Sequence, residues 1–329
     1  MNGDGTRIAV SSRPSNVSFT VKCYEYSGGS WSQLGSTISL SPTYIVVTPV
    51  VSMDAVGDSF SISPSIDNRQ EPSYVYDLDS NSEWQLRGGT SFLTGSNKGS
   101  NYVSHLSGNG EYFWTTGWTN HGQSFLMQYY YDGVSWVNTK TSAWGHGPRT
   151  YHIDSSYDGS VLVGTVSVSA GGHIPYDFFV FPPTGTSVIK PAGISGNAIS
   201  ANVDCTRVAL VSVDGVTVRV YDKGSDWSEW LQVGGDANVG SMSTIALSEN
   251  GIRFVVGNPG WDSPETNAGI IKVYELQEGV WTKLYEEMGT SASDRVGGSV
   301  DISDFGGVIA NGRYDADALT NMGRVDLLS

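Results

Sequence analysis

Apolar residues in this chain fall in short alternating runs, and the runs themselves recur. Seven times a β-prone apolar stretch begins about three residues after a tight-turn position. The turn positions are Gly5, Gly57, Gly110, Gly159, Cys205, Gly251 and Gly306; the stretches centre on Ile8, Phe60, Phe113, Leu162, Val208, Phe254 and Ile309. Successive turns are 52, 53, 49, 46, 46 and 55 residues apart. A β repeat of this length that spans a whole chain points to a β-propeller.

The sixth unit shows the pattern best. Ser243 to Ser248 alternates as a strand, Glu249-Asn250-Gly251 turns, and Arg253 to Gly257 forms a second strand. Asn and Gly suit that turn because they tolerate left-handed conformations. A polar loop follows, then a third strand over Ile270 to Leu276 and a fourth around Trp281. Four antiparallel strands make one blade. Third strands recur at Val21 to Tyr24, Tyr74 to Asp77, Phe125 to Tyr131, Tyr176 to Phe181, Val216 to Tyr221 and Arg324 to Leu327; fourth strands carry Trp31, Trp84, Trp136, Trp227 or Trp230, and Trp281. The fourth unit has Pro182-Pro183 and Gly185 in place of that Trp. We therefore expect an all-β, seven-bladed propeller in one domain, with units over about 1–40, 41–95, 96–143, 144–191, 192–236, 237–289 and 290–329. Six blades would result if one unit were irregular.

Unit one opens in the turn Asn2-Gly3-Asp4-Gly5 with no first strand, and unit seven stops on its third strand. Open strand edges invite pairing with other chains. The expectation is that at least one of these ends is tied down by a neighbouring subunit or another component of an assembly.

Gly297-Gly298-Ser299-Val300-Asp301-Ile302-Ser303 with Gly307 to Gly312 resembles the FG-GAP repeat of integrin-α-type propellers. Leu247 to Gly251 with Val256-Gly257-Asn258-Pro259 and Ile271 to Tyr274 is similar to it as well. The likeness is good over units six and seven, fair over one and five, and poor over two to four. It implies a mostly non-catalytic role in adhesion or assembly, and calcium bound in the first turns. The turns here offer about two acids each, as in Asp54 with Asp58 or Asp301 with Asp304. Calcium wants six to eight oxygens, so self-capping hairpin turns are the simpler reading, and no metal or other cofactor is expected.

Composition narrows the partners. With 18 basic and 33 acidic residues the net charge is −15, which opposes binding to nucleic acid and to anionic membranes. No apolar run approaches the ~20 residues that span a bilayer, and Met1-Asn2-Gly3-Asp4 has no signal-peptide character. Cys23 and Cys205 fall on opposite sides of a ring, too far apart to pair.

All five histidines lie between residues 105 and 173. His105 and His152 fall on expected inner strands, where they bond to neighbouring strands. His121, His146 and His173 fall in loops of one face and form a weak zinc or copper candidate. Three tryptophans lie in expected face loops beside polar groups: Trp118 before His121, Trp144 before His146 and Arg149, and Trp261 before Asp262 and Glu265. Exposed aromatics in such company suit sugar stacking or a protein hot spot. These nine residues are the candidate binding set.

The chain has no Gly-x-Ser-x-Gly elbow, phosphate loop or His-Glu-x-x-His, so no catalytic residue is assigned. The reading is a non-enzymatic, rigid interaction or structural module of an extracellular, cell-surface or particle-like assembly, with a protein partner. The alternatives are a carbohydrate-binding propeller using loop tryptophans, and a glycan-active hydrolase or lyase whose carboxylates, such as Asp262 and Glu265 beside Arg295, Arg313 and Asp315, meet only in space.

Overall fold

Each turn glycine of the repeat adopts a positive φ, from +66° at Gly159 to +83° at Gly57, as a tight two-strand reversal requires. The non-glycine turn residue, Cys205, does so too, at +56°. Around these reversals the computed structural model describes residues 1–15, 18–41, 46–66, 73–89, 98–119, 123–146, 149–167, 176–185, 187–313 and 324–328. Among them the strands form seven antiparallel sheets, with no helix.

Blade 1 is β1 (Arg7–Ser15), β2 (Ser18–Ser27) and β3 (Ser30–Leu40). Blade 2 is β4 (Val46–Met53), β5 (Ser59–Ile66), β6 (Tyr74–Leu78) and β7 (Trp84–Leu86). Blade 3 is β8 (Lys98–Leu106), β9 (Tyr112–Thr119), β10 (Gln123–Tyr131) and β11 (Trp136–His146). Blade 4 is β12 (Arg149–Ser155), β13 (Leu162–Ser167) and β14 (Tyr176–Phe181). Blade 5 is β15 (Ala198–Ala201), β16 (Arg207–Val211), β17 (Thr217–Lys223) and β18 (Trp230–Asn238). Blade 6 is β19 (Thr244–Leu247), β20 (Arg253–Asn258), β21 (Ile270–Gln277) and β22 (Val280–Met288). Blade 7 is β23 (Ser299–Ile302), β24 (Ile309–Arg313) and β25 (Arg324–Leu328). The protein is a seven-bladed β-propeller, as the repeat predicts.

Among the described residues blade 4 has no fourth strand. Its outer edge is covered by irregular chain, with Phe178 N–H bonded to Ile194 O at 3.1 Å and Val180 exchanging both bonds with Ile189. Among the described residues blade 1 shows no inner strand and blade 7 no outer one.

The core lies between blades. Six clusters of buried side chains fill six junctions: Phe19, Val21 and Phe60 between blades 1 and 2, for example, and Val220, Phe254 and Trp281 between blades 5 and 6. Among the described residues no such cluster joins blade 7 to blade 1. That junction is made by the turns. Asp304 N–H donates to Gly3 O at 2.7 Å and the Met1 ammonium meets Asp301 Oδ2 at 2.5 Å. The first turns of all seven blades are hydrogen-bonded to one another in a closed circle. Gly3 N–H reaches Ala55 O, Ala55 reaches Gly108, Asn109 reaches Tyr157, Tyr157 reaches Val203, Val203 reaches Glu249, Asn250 reaches Asp304, and Asp304 returns to Gly3. At the amino-terminal turn these contacts all lie within the chain.

Candidate functional site: the axial cavity and its turn face

The inner strands β4, β8, β12, β15, β19 and β23 wall an axial cavity of about 460 Å³. One position recurs on them at the spacing of the repeat: Ser52, His105, Asp154, Ser200, Ala246 and Asp301. Where the residue is polar, its side chain ties its blade to the next. Leu106 N–H donates to Ser52 Oγ at 3.2 Å, Ala201 N–H to Asp154 Oδ2 at 2.9 Å and Leu247 N–H to Ser200 Oγ at 3.1 Å. His105 makes the same crossing with its ring: Nδ1 lies 3.0 Å from Ser155 Oγ and Nε2 3.2 Å from Asp154 Oδ1. Asp301 takes the Met1 ammonium in place of a backbone N–H.

Carboxylates outnumber the one ammonium, that of Met1, in the cavity wall. Asp154, Glu249, Asp301 and Asp304 line it, and neither Lys nor Arg is among its described lining residues. Burial, reinforced by Asp304, Asp154 and Asp301, pushes the Glu249 carboxyl up to about 7. Burial and the neighbouring Asp4 raise Asp304 as well. His152 is pushed down to about 4 by burial alone. Glu249 is therefore a carboxyl poised to exchange a proton near neutrality, the range in which a general acid or base works best.

The turns around the mouth carry exposed apolar side chains. Phe305 is 77 % exposed, Val56 57 % and Tyr157 44 %, the first two flanking the Asp4 turn of blade 1. The acids of these turns cap their own backbone. Asp4 Oδ1 accepts from Thr6 N and Oγ1 at 2.9 and 2.6 Å, and Asp204 does the same with Thr206. Among the described residues no three His, Cys, Asp or Glu side chains gather as metal ligands.

Those of the residues singled out from the sequence that the structure describes lie away from this turn face. Trp118 and Trp144 are not in loops: they lie within β9 and β11, where both pair in register with Ser124 of β10. The ladder simply extends further than the polar neighbours suggested. His146 ends β11 opposite Gln123, and Arg149 starts β12 opposite Ser167. His121 and His173 lie outside the described residues, as does Asp315. Trp261 folds back against the core between blades 5 and 6, with Lys272 Nζ 5.3 Å from its ring centre. Asp262 is exposed and accepts Asn267 N–H at 2.8 Å, while Glu265 offers its carbonyl to Ala268 N–H at 3.2 Å. Arg313 does not face a cleft. It is 12 % exposed and paired with Glu287 at 2.6 Å and with Asp326. Sequence reasoning missed Glu249 and Phe305, and it weighed Asp304 only as a turn acid beside Asp301. Their turn positions were legible, but their convergence on an axis follows only from closure of the ring.

No family model matches the chain, and no curated protein matches it. Solved structures do. A candidate 6-phosphogluconolactonase from Bacteroides fragilis superimposes with a TM-score of 0.60 at 14% identity, over 98% of this chain and 97% of its own. One from Bacteroides uniformis gives 0.59 at 13% identity, over 94% and 95%. The Cps50 (Swd1) β-propeller domain of Myceliophteria thermophila gives 0.61 at 11% identity, over 100% and 95%. At these identities the likeness shows the fold. It also corrects one expectation. The absence of a catalytic motif suggested a protein that is not an enzyme, yet two of these neighbours carry hydrolase names. On a propeller, reacting groups come together from separate blades, so no contiguous motif is required.

Proposed function

We propose that this propeller is an interaction module whose working surface is the turn face around the axial mouth, within a cell-surface or particle-like assembly. The observation that carries this reading is the ring of exposed Phe305, Val56 and Tyr157 around an acidic opening lined by Glu249 and Asp304. Apolar side chains of that size are the usual anchors of a protein interface. The acidic centre selects a partner that brings Lys or Arg to the axis. The closed circle of turn hydrogen bonds holds these anchors rigid, so little ordering is lost on binding. The FG-GAP-type likeness of units six and seven supports the same reading. A photo-crosslinking residue at position 305 tests it, with position 262 on the opposite face as control. One partner captured at 305 and not at 262, and lost with Phe305→Ser, is expected; equal capture at both would sink the reading.

A hydrolase reading rests on one further observation. The Glu249 carboxyl, near 7, shares the cavity with the His105–Asp154 pair. The lining without Lys or Arg suits a neutral substrate better than a phosphorylated one. Hydrolysis of neutral lactones or esters by the purified chain, abolished by Glu249→Gln, is the test.

A further inference from the structure

The inner strands β4, β8, β12, β15, β19 and β23 end on one position of the repeat: Met53, Leu106, Ser155, Ala201, Leu247 and Ile302. Ser155 of blade 4 is the member of that set with a hydroxyl; the others are apolar. The tether position on the neighbouring wall is equally singular. Blade 3 carries His105 there, where the other inner strands carry Ser52, Asp154, Ser200, Ala246 and Asp301. The two odd residues meet. His105 Nδ1 lies 3.0 Å from Ser155 Oγ, and its Nε2 lies 3.2 Å from Asp154 Oδ1.

Ser52, Asp154 and Ser200 each receive a backbone N–H from the next blade. His105 does not have that task, because Ser155 N–H donates to Asp154 Oδ1 at 2.8 Å. The imidazole takes the hydroxyl instead, and it is that hydroxyl's one hydrogen-bond partner among the described residues. Protonation follows from the partners. A carboxylate only accepts, so Nε2 carries the ring proton and Nδ1 accepts the Ser155 O–H. Asp154 is itself held, since its Oδ2 accepts Ala201 N–H at 2.9 Å and Ser200 O–H at 3.2 Å. A hydroxyl on a base, with the base oriented by a fixed third group, is the arrangement that activates a serine. All three residues line the axial cavity, whose volume of about 460 Å³ suits a small molecule.

We propose that Ser155 is an acyl-accepting nucleophile with His105 as its base, and that the axial cavity cleaves small neutral acyl esters, open or cyclic. This rests on the hydrolase reading above and supplies its covalent step. Ser155 Oγ attacks the carbonyl carbon as its proton passes to His105 Nδ1. The tetrahedral adduct collapses, the C–O bond to the alcohol breaks, and the leaving oxygen takes the proton from Nδ1. Water then attacks the acyl-serine and gives one proton to Nδ1. The bond between Oγ and the acyl carbon breaks, and Oγ recovers that proton. The sum is ester plus water to acid plus alcohol. Asp154 is a positioning residue, since holding Nε2–H keeps Nδ1 free to accept. The substrate class follows from the walls. The carboxylates of Asp154, Glu249, Asp301 and Asp304 repel a carboxylate or phosphate group. Val50 and Val103 stand two residues before Ser52 and His105, on the same side of their strands, and offer apolar wall to a short acyl chain.

The experiment treats the full chain with phenylmethanesulfonyl fluoride and with p-nitrophenyl acetate. One sulfonyl group per chain is expected, mapped to Ser155, in native buffer and not in urea. A burst of about one nitrophenolate per chain should accompany it. Ser155→Ala, which removes a single hydroxyl, should abolish both. His105→Gln and Asp154→Asn should each lower the maximal rate of sulfonylation at least about hundredfold and leave its half-saturating concentration unchanged. A purely structural tether would move neither quantity. Native protein in which Ser155 stays unmodified overturns the proposal, as does modification that is as fast in urea. Turnover that survives Ser155→Ala and falls with Glu249→Gln overturns the serine assignment and leaves the hydrolase reading standing. Sulfonylated Ser155 with no ester turned over supports the nucleophile and sinks that reading. The anionic ester mono-p-nitrophenyl succinate, cleaved as fast as the acetate, would overturn the substrate class.

Discussion

Arg207 Nη1 donates a 3.1 Å hydrogen bond to the carbonyl of Gly251, the turn glycine of the next blade. Its Nε and Nη2 grip Asp222 of its own blade at 2.5 and 2.7 Å. Arg253 repeats this with Gly306 and Glu275, Arg7 with Gly57 and Glu25, and Arg87 with Gly110 and Asp77. Between blades 3 and 4 the indole of Trp114 and the amide of Gln128 serve Gly159 instead. A turn glycine is thus both the reversal within one blade and the acceptor that fixes the blade before it.

Arg207→Ala should therefore lower stability by about 1–3 kcal/mol, because it removes charge-assisted bonds and leaves a carbonyl short of a donor. Arg207→Lys should recover little, since an ammonium cannot grip the carboxylate and reach the carbonyl together. Urea unfolding decides this; a full rescue by lysine would show that charge alone matters.

Trp281 is 6 % exposed, packs 4.9 Å from the Phe254 ring and holds Val233 O. Trp281→Ala should cost about 3–5 kcal/mol. Trp31→Ala should cost less than about 1 kcal/mol, since that ring is only half-buried and packs against Tyr26 of its own blade. Trp261→Ala should fall between them, because that ring covers Lys272 and the core edge. Equal losses at Trp31 and Trp281 would remove the inter-blade role argued for this position.

Two buried groups give opposite pH dependences. The Glu249 carboxyl is raised from 4.5 to about 7, so the folded state holds its proton longer than the unfolded state. Its contribution therefore falls as pH rises from about 4.5 to 7. His152 is lowered from 6.5 to about 4, so its contribution falls as pH drops from about 6.5 to 4. Glu249→Gln should raise the melting temperature above pH 7 and flatten the first slope; His152→Gln should flatten only the second. A melting profile that neither variant alters would contradict both assignments.

Burial pushes the Cys23 thiol up to about 12 and Cys205 well above its ordinary value. Neither thiol forms a disulfide. Both should resist a thiol-specific reagent in the folded protein and react in urea, because the thiolate is the attacking species. Rapid modification of either in native buffer would place it at the surface instead.

The repeat was legible because its glycines and tryptophans do mechanical work at fixed spacing. Gly251 turns a hairpin, Trp281 locks a blade, and their counterparts recur in most units. The candidate site was not legible in that way. Trp118 and Trp144 stand among polar residues, yet the strand ladder continues through them to Ser124. Arg313 stands near a loop, yet it is held by Glu287 and Asp326. Glu249 reads as an ordinary turn acid until ring closure brings Asp154, Asp301 and Asp304 to the same axis. Convergence across blades is a property of the ring, and local sequence carries no record of it.

The last prediction concerns that closure. Asp301 Oδ2 receives the Met1 ammonium where Asp154 and Ser200 receive the N–H groups of Ala201 and Leu247. The carboxylate is 47% exposed, so the pair adds at most about 1 kcal/mol to global stability. Its effect should be local, because blades 7 and 1 share no buried cluster among the described residues and meet through turns. Asp301→Ala should therefore leave the urea midpoint nearly unchanged and accelerate amide exchange at Gly3 and Asp304. The turn amides of Tyr157 and Val203, backed by the cluster between blades 4 and 5, should keep their rates. Acceleration spread evenly around the circle would mean that the ring opens as one unit and that this junction is no weaker than the rest.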